Sequence, residues 1–190
     1  MDKSELRKAI RKEKIKARNE LGAEERLKLS KIISDNVLSL PVFKSATNIM
    51  IYRAVKGEVS LKFLEENAYG KNLFYPLCIS DTEMIALHPE GESAWHPGFK
   101  DIPEPVRELS EEIDPSKLDL IICPLSAFDN ECNRMGMGAG FYDRFLPKCK
   151  NAKIIGVAFE VQREESLPVD PWDKPMDAVI TEGRLYKKNL

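Results

Sequence analysis

The chain has 190 residues, of which 43% are hydrophobic and 32% charged, enough apolar material for one domain over residues 1–190 and too much for intrinsic disorder. Twenty-nine basic against thirty-one acidic residues leave a net charge of −2, which argues against a nucleic-acid protein built on global charge. No apolar run reaches the roughly 20 residues of a membrane helix, and no apolar h-region follows the charged opening, so a cytoplasmic protein is expected.

The chain opens as a helix. Asp2 with Glu5 has capping-box spacing, and Leu6, Ala9, Ile10, Glu13 and Ala17 follow the helical period. Leu21-Gly22 stops it. A second helix is predicted over Glu24–Leu40, with Leu29, Ile32, Ile33, Val37 and Leu40 on one face and Pro41 as its end. The pattern then changes to short apolar runs: a strand over residues 48–52, a helix over 59–68 with Leu61 and Leu64 inward, and a strand over 72–75 broken by Pro76. A strand over 84–87 precedes an irregular excursion, residues 90–115, punctuated by Pro89, Pro97, Pro103, Pro105 and Pro115. Buried strands are predicted over 118–123, 153–159 and 178–180, with a short helix from Phe141 to Leu146. Strands alternating with helices predict an α/β fold: a mainly parallel sheet with helices on both faces, three-layered and Rossmann-like, preceded by two N-terminal helices. Ligands of such sheets bind in the loops at the carboxyl ends of the strands.

Cys78, Cys123, Cys132 and Cys149 contain no C-x-x-C pair, and a core of this size needs no disulfides, so reduced thiols are expected. His88 and His96 lack metal-ligand spacing, which argues against structural zinc.

The loop after the strand at 118–123 carries the chemistry. Its glycines alternate at Gly136, Gly138 and Gly140, directly before the helix that starts at Phe141. Such a run turns successive N–H groups toward one anion, and the helix start adds its positive end. Arg134 and Arg144 flank it as charge-assisted donors, and Asp143 is placed to hold a Mg²⁺ ion that accompanies nucleotide phosphates. The loop is neither a Walker A sequence nor a G-x-G-x-x-G fingerprint, and a bare G-x-G-x-G also suits an ordinary flexible turn.

The run Gly-x-Gly-x-Gly-Phe-Tyr-Asp-Arg, following Ala127-Phe128-Asp129, resembles the signature of the 5-formyltetrahydrofolate cyclo-ligases, also called methenyltetrahydrofolate synthetases. Further segments resemble that family in order: Lys3–Arg7, Tyr52 with Glu58, Ile102–Pro105, Ile155–Phe159 with Gln162, and Asp177–Glu182. The resemblance implies closure of 5-formyltetrahydrofolate to 5,10-methenyltetrahydrofolate with ATP and Mg²⁺, releasing ADP and phosphate. Carried over residue by residue, it implies ATP contacts at Lys3, Ser4, Glu5, Leu6 and Arg7 and at Arg134, Met135, Gly136, Met137, Gly138, Ala139, Gly140, Phe141 and Tyr142. Folate contacts are implied at Arg7, Arg53, Glu58 and residues 137–141, metal ligands at Asp143 and Asp177, and catalytic roles at Arg134, Tyr142 and Arg144. Residues 1–31 hold eleven Lys/Arg against six Asp/Glu, which suits phosphates near the first helix and equally suits a solvated face. Trp95 and Phe99 are candidates to stack on the pterin or aminobenzoate ring, and Lys16 and Lys56 to attract a polyglutamate tail.

Several positions depart from the family pattern. Ala139 stands where Lys or Gly is usual, which would shift phosphate neutralisation onto Arg134, Arg144 and Lys3. Leu125 and Asp101 stand where glycines are usual, Cys132 stands near the place of a third, and Trp172-Asp173 replaces a His-Asp pair. A monomer acting on a small molecule, without nucleic acid or membrane, is expected. Two other readings stay open on the residues alone: an enzyme binding a sugar phosphate or acyl-CoA through the same loop, and an RNA-binding module using the basic first helix.

Overall fold

The computed structural model describes residues 2–55, 57–98, 102–171, 173–188 and 190; Lys56, Phe99, Asp101 and Trp172 lie outside this set. Helix α1 (Lys3–Glu20) begins with the expected capping box: the Asp2 side chain accepts from the Glu5 N–H at 2.8 Å, and Glu5 accepts from the Asp2 N–H at 3.0 Å. Gly22, at φ 74°, separates it from α2 (Ala23–Ser39). Pro41 does not simply end the helical region. It occupies the first turn of α3 (Pro41–Ser45), where its missing N–H is no loss.

The chain continues through β1 (Asn48–Met50), α4 (Lys62–Asn67), β2 (Asn72–Cys78) and β3 (Met84–Pro89). The excursion is more ordered than its prolines suggest. It contains a ribbon, β4 (Trp95–Pro97) with β5 (Pro103–Pro105), and a short strand, β6 (Ser110–Glu112). Then come β7 (Leu120–Cys123), a two-stranded ribbon of β8 (Ala127–Phe128) and β9 (Arg134–Met135), α5 (Phe141–Phe145), β10 (Lys153–Val157), β11 (Ala178–Ile180) and β12 (Leu185–Lys187). The last strand has no strong periodic signal in the sequence.

Eight strands form one sheet in the order β12-β11-β10-β7-β1-β2-β3-β6. The five from β11 to β2 run parallel; β12 and β3 run against them, and β6, antiparallel to β3, runs with them again. Pro76 does not break β2. The pairing with β1 ends at Met50↔Phe74, so the proline stands where only β3 is a neighbour and one edge needs no donor.

Alternation of side chains across the strands makes two cores. Ile49, Leu120, Ile122, Ile155 and Ile180 pack against Ile33, Val37, Phe43 and Leu64 of the helices on one face. Met50, Ile121, Cys123, Ile154 and Val179 pack against Phe128, Phe145, Leu146 and Met176 on the other. Ile33 and Val37 are fully buried as expected, whereas Ile32 is turned to solvent. The two faces are what an α/β three-layer fold requires. All four cysteines are free, and no helix among the described residues is long and apolar enough to cross a membrane.

From β1 the chain builds outward through β2, β3 and β6, then returns to lay β7 on the other side of β1. The strand order therefore reverses between β1 and β7, and a ligand crevice belongs at the carboxyl ends of these two strands.

Candidate active site

A cavity of about 1010 Å³ lies at that reversal. Its walls come from the first half of α1 (Lys3, Ser4, Arg7, Lys8, Arg11), from Glu58 after β1, and from Pro76, Cys78 and Met84 of the β2–β3 hairpin. Glu104 of β5, Pro124 and Leu125 after β7, the stretch Arg134 with Gly136–Arg144, Pro147, and Asp170 with Asp173 complete it. The overhang of β2 beyond β1 builds one side.

The glycine strip is shaped by its neighbours. Gly138 and Gly140 have φ of 104° and 72°, a region L side chains avoid. A Cβ on Gly140 would lie 2.7 Å from Arg144 Nη1, and one on Gly138 would lie 3.4 Å from the Arg11 guanidinium carbon. Arg144 donates from Nε to the Thr82 carbonyl and from Nη2 to the Ala139 carbonyl, both at 2.7 Å, tying the β2–β3 turn to the strip. Arg11 donates from Nε to the Gly136 carbonyl at 2.9 Å. Helix α5 is only five residues long, so the positive helix end contributes less than the arginines do.

Arg134, its side chain only 4% exposed, is ion-paired with Asp143 and lies 5.5 Å above the Tyr142 ring. The Tyr142 hydroxyl is buried and has no hydrogen-bond partner. An orphaned buried hydroxyl costs about 1–3 kcal/mol, a cost that a bound ligand can relieve. Burial holds its phenol far above the ordinary tyrosine pKa, with Cys123 and Glu58 adding to the shift and Arg134 opposing it. It is therefore a neutral donor at physiological pH. Burial pushes Cys123 up to about 12, which leaves that thiol inert. Glu58 accepts from the Val55 N–H at 3.0 Å and faces the cavity.

At the mouth, Lys3 donates to Asp170 and to the Val169 carbonyl, and Arg7 bonds Asp170 at 2.7 Å and Asp173 at 3.0 Å. Lys3 and Arg134, expected to take over from Ala139, are thus each paired with a carboxylate in the free protein. Behind the site, Gln162 donates to the carbonyls of Leu125 and Ser126 at 2.8 and 3.1 Å, fixing the chain as it leaves β7. Asp129 holds the β8–β9 turn by accepting from the N–H groups of Glu131, Asn133 and Leu167, each at 3.0 Å. In that turn Cys132 is buried at φ 59°, a conformation that costs a residue with a β-carbon about 1–2 kcal/mol.

Several expected site residues lie elsewhere. Asp177 is at the amino ends of the strands: its carboxylate accepts from the Ile154 N–H at 2.8 Å and pairs with Lys153 at 3.3 Å. It does not share a site with Asp143, because parallel strands put their starts and ends on opposite edges of the sheet. Arg53 forms a two-pronged bond to Glu65, at 2.6 and 2.8 Å, and its guanidinium lies over the Tyr75 and Trp95 rings. It lines a separate cavity of about 290 Å³. Trp95 meets Tyr75 edge-on at 4.8 Å and belongs to local packing rather than the large cavity. Glu5 caps α1, and Leu6 and Met135 pack with Ile10, Ala127 and Leu167. Phe99 and Lys56 lie outside the described residues.

Sequence reasoning missed Arg11, Arg18, Asp170 and Asp173. Residues 3, 7, 11, 14 and 18 share one helical face, a basic periodicity that was available in the sequence. Arg18 ends that series fully buried, donating to the Leu125 carbonyl at 3.4 Å.

The fold and cavity define an α/β protein with one large cleft at the strand-order reversal. Residues 2–182 match the 5-formyltetrahydrofolate cyclo-ligase family, and the chain belongs to it. It is 31% identical over 183 residues to a 5-formyltetrahydrofolate cyclo-ligase of Haemophilus influenzae, covering 93% of this chain and 98% of that one. An Escherichia coli cyclo-ligase is 29% identical over 178 residues, with 90% and 97% covered. The solved structure of Aquifex aeolicus 5,10-methenyltetrahydrofolate synthetase superposes with a TM-score of 0.85 at 35% identity, over 96% of this chain and 92% of that one. The synthetase from Mycoplasma pneumoniae gives 0.72 at 29%, over 96% and 99%. The chain is thus a cyclo-ligase, an ATP-dependent enzyme that forms a carbon–nitrogen bond.

Proposed function

We propose that the chain converts 5-formyltetrahydrofolate to 5,10-methenyltetrahydrofolate, with ATP cleaved to ADP and phosphate. One observation carries this reading: a single cavity joins an anion-accepting wall (the glycine strip with Arg11, Arg134 and Arg144) to a wall bearing the carboxylate of Glu58. Its volume, about 1010 Å³, is at the top of the range for one ligand and suits two small ones.

The formyl oxygen is a poor leaving group. Attack of that oxygen on the γ-phosphorus forms an O–P bond, releases ADP and gives an imidoyl phosphate. N10 then attacks the activated carbon and loses its proton, and phosphate departs with the former formyl oxygen. The protein aligns oxygen with phosphorus and stabilises developing charge, without a covalent enzyme intermediate. Arg144 and Arg134 would face the phosphoryl oxygens. Glu58 would accept from the pterin amide and amino groups, and the Tyr142 hydroxyl is a neutral donor between the two walls.

Asp143 fits a magnesium ion, since it faces the cavity and its side chain is 35% exposed. The ion would offset phosphate charge. Asp177 does not fit, because its carboxylate is spent on the strand starts. The working unit is proposed to be a cytoplasmic monomer that also accepts polyglutamylated folate.

The test is near-ultraviolet absorbance of the protein with 5-formyltetrahydrofolate, ATP and Mg²⁺. The conjugated methenyl cation absorbs at longer wavelength than the formyl compound. A rise that requires ATP and is lost in Arg144→Ala supports the reading. No rise, with nucleotide still bound, rejects the folate substrate.

A further inference from the structure

The residues from Gly136 to Gly140 carry no charged side chain of their own, so any cation over that strip comes from elsewhere in the fold. Four cavity-wall cations are already occupied or mobile. Lys3 and Arg7 are matched by Asp170 and Asp173, and Arg134 by Asp143. Lys8 is exposed on a flexible stem.

Arg11 differs from all of these. It is half-buried, one helical turn further along the basic face of α1 than Arg7, and its Nε is fixed on the Gly136 carbonyl at 2.9 Å. Its guanidinium carbon and both Nη atoms lie 3.4–3.5 Å from where a Cβ of Gly138 would stand, so the missing side chain at Gly138 is what lets the guanidinium lie along the strip. Among the described residues no carboxylate pairs with it, and neither Nη atom makes a hydrogen bond.

We infer that Arg11 is a catalytic residue of this enzyme, placing its two Nη groups on the polyphosphate of the bound nucleotide and supplying the positive charge that the glycine strip lacks. Arg144 does the same from the opposite end of the strip, where its Nε and Nη2 are held by carbonyls in the same manner. A guanidinium suits this task because one edge can grip the backbone while the other faces a planar pair of phosphate oxygens. Burial and the charge of Arg7 both disfavour the Arg11 cation in the free protein. An anion brought alongside relieves both penalties, which biases the site toward the most highly charged end of a nucleotide. The inference rests on the proposed nucleotide-dependent reaction.

The test is isothermal titration of the whole protein with Mg-ATP and with Mg-AMP, repeated for Arg11→Gln, Arg11→Lys and the double variant Arg11→Gln/Ala139→Lys. Gln keeps a donor for the Gly136 carbonyl and loses the charge together with the two Nη groups. Arg11→Gln is expected to weaken ATP about tenfold to a hundredfold, the range for a charge-assisted contact, and to leave AMP within about twofold. Arg11→Lys should show only part of that loss, and adding Ala139→Lys to Arg11→Gln should recover part of it from the strip itself. Binding of 5-formyltetrahydrofolate without nucleotide, and the melting temperature, should stay at wild-type values. ATP affinity in Arg11→Gln equal to wild type would overturn the inference alone, making Arg11 a tether for Gly136. Equal losses for ATP and AMP would also overturn it, since they would report a distorted loop. A wild-type protein that binds no nucleotide would overturn the proposed reaction and the inference together.

Discussion

Arg134 and Asp143 stand on opposite sides of the glycine strip, nine positions apart, and their side chains meet across it as an ion pair. The pair closes the strip into a loop with a fixed mouth. Because Arg134 is nearly buried and Asp143 is not, the two partners are unequal. Arg134→Ala leaves a partly hydrated carboxylate beside the phosphate site, and Asp143→Ala leaves a buried, unmatched guanidinium. We expect Asp143→Ala to destabilise the fold more, by about 2–4 kcal/mol against about 1–2 kcal/mol for Arg134→Ala. Arg134→Ala should nevertheless lose more activity. Urea denaturation and steady-state rates on both variants check the crossed ranking.

Gly140 tests the loop from the other end. Its φ of 72° and the 2.7 Å approach of Arg144 Nη1 leave no room for a β-carbon without moving that guanidinium. Gly140→Ala should cost about 1–2 kcal/mol in stability through the left-handed backbone. It should also impair the reaction as far as Arg144→Ala does. An active Gly140→Ala would show that Arg144 need not be held where it is.

Asp177 is expected to be structural. Asp177→Asn removes an ion pair with Lys153 and weakens the cap on the Ile154 N–H, so a loss of about 1–2 kcal/mol is expected. The dependence of activity on Mg²⁺ concentration should be unchanged. A magnesium curve displaced to higher concentration in this variant would return Asp177 to the metal site.

The mouth contacts should be pH-sensitive. The hydrogen bond from Lys3, helped by the charges of Lys3 and Arg7, holds the Asp170 carboxyl below its ordinary value. A depressed carboxyl stabilises the folded contact above its unfolded pKa, about 3.9, and the contact is lost as pH falls through the lower folded value. Amide protection factors, the exchange rates divided into their intrinsic values at each pH, should therefore stay level in the first turns of α1 from neutrality down to about pH 4 and fall below it, and they should be low throughout in Asp170→Asn.

The layers and the position of the glycine strip are legible because they rest on local apolar periodicity and on glycine spacing, whereas the strand order depends on pairings that only the folded chain shows. Pro76 misleads because whether a proline breaks a strand depends on which edge has a neighbour, and that is set by where β1 stops. Arg53 misleads for a similar reason. Its partner Glu65 lies on the next helix, and only folding shows that its charge is consumed there. Asp177 carries a family motif yet lies at the wrong edge of the sheet, a distinction spacing cannot express. The cation series from Lys3 to Arg18 is visible as periodicity, but the apolar stripe of the same helix is the stronger signal. Ile10 and Arg18 are the residues that helix buries most.

The cavity wall is closed by Lys3 meeting Asp170, side chains separated by 167 positions. An extension fused ahead of Asp2 would begin one residue from the mouth of the cavity proposed to hold the nucleotide. An affinity tag at that end should raise the Michaelis constant for ATP, whereas one after Leu190, which packs against the opposite helical layer, should leave it alone. During synthesis the same closure comes late: α1 leaves the ribosome early, but its side of the cavity is completed only once residues 170–173 have emerged.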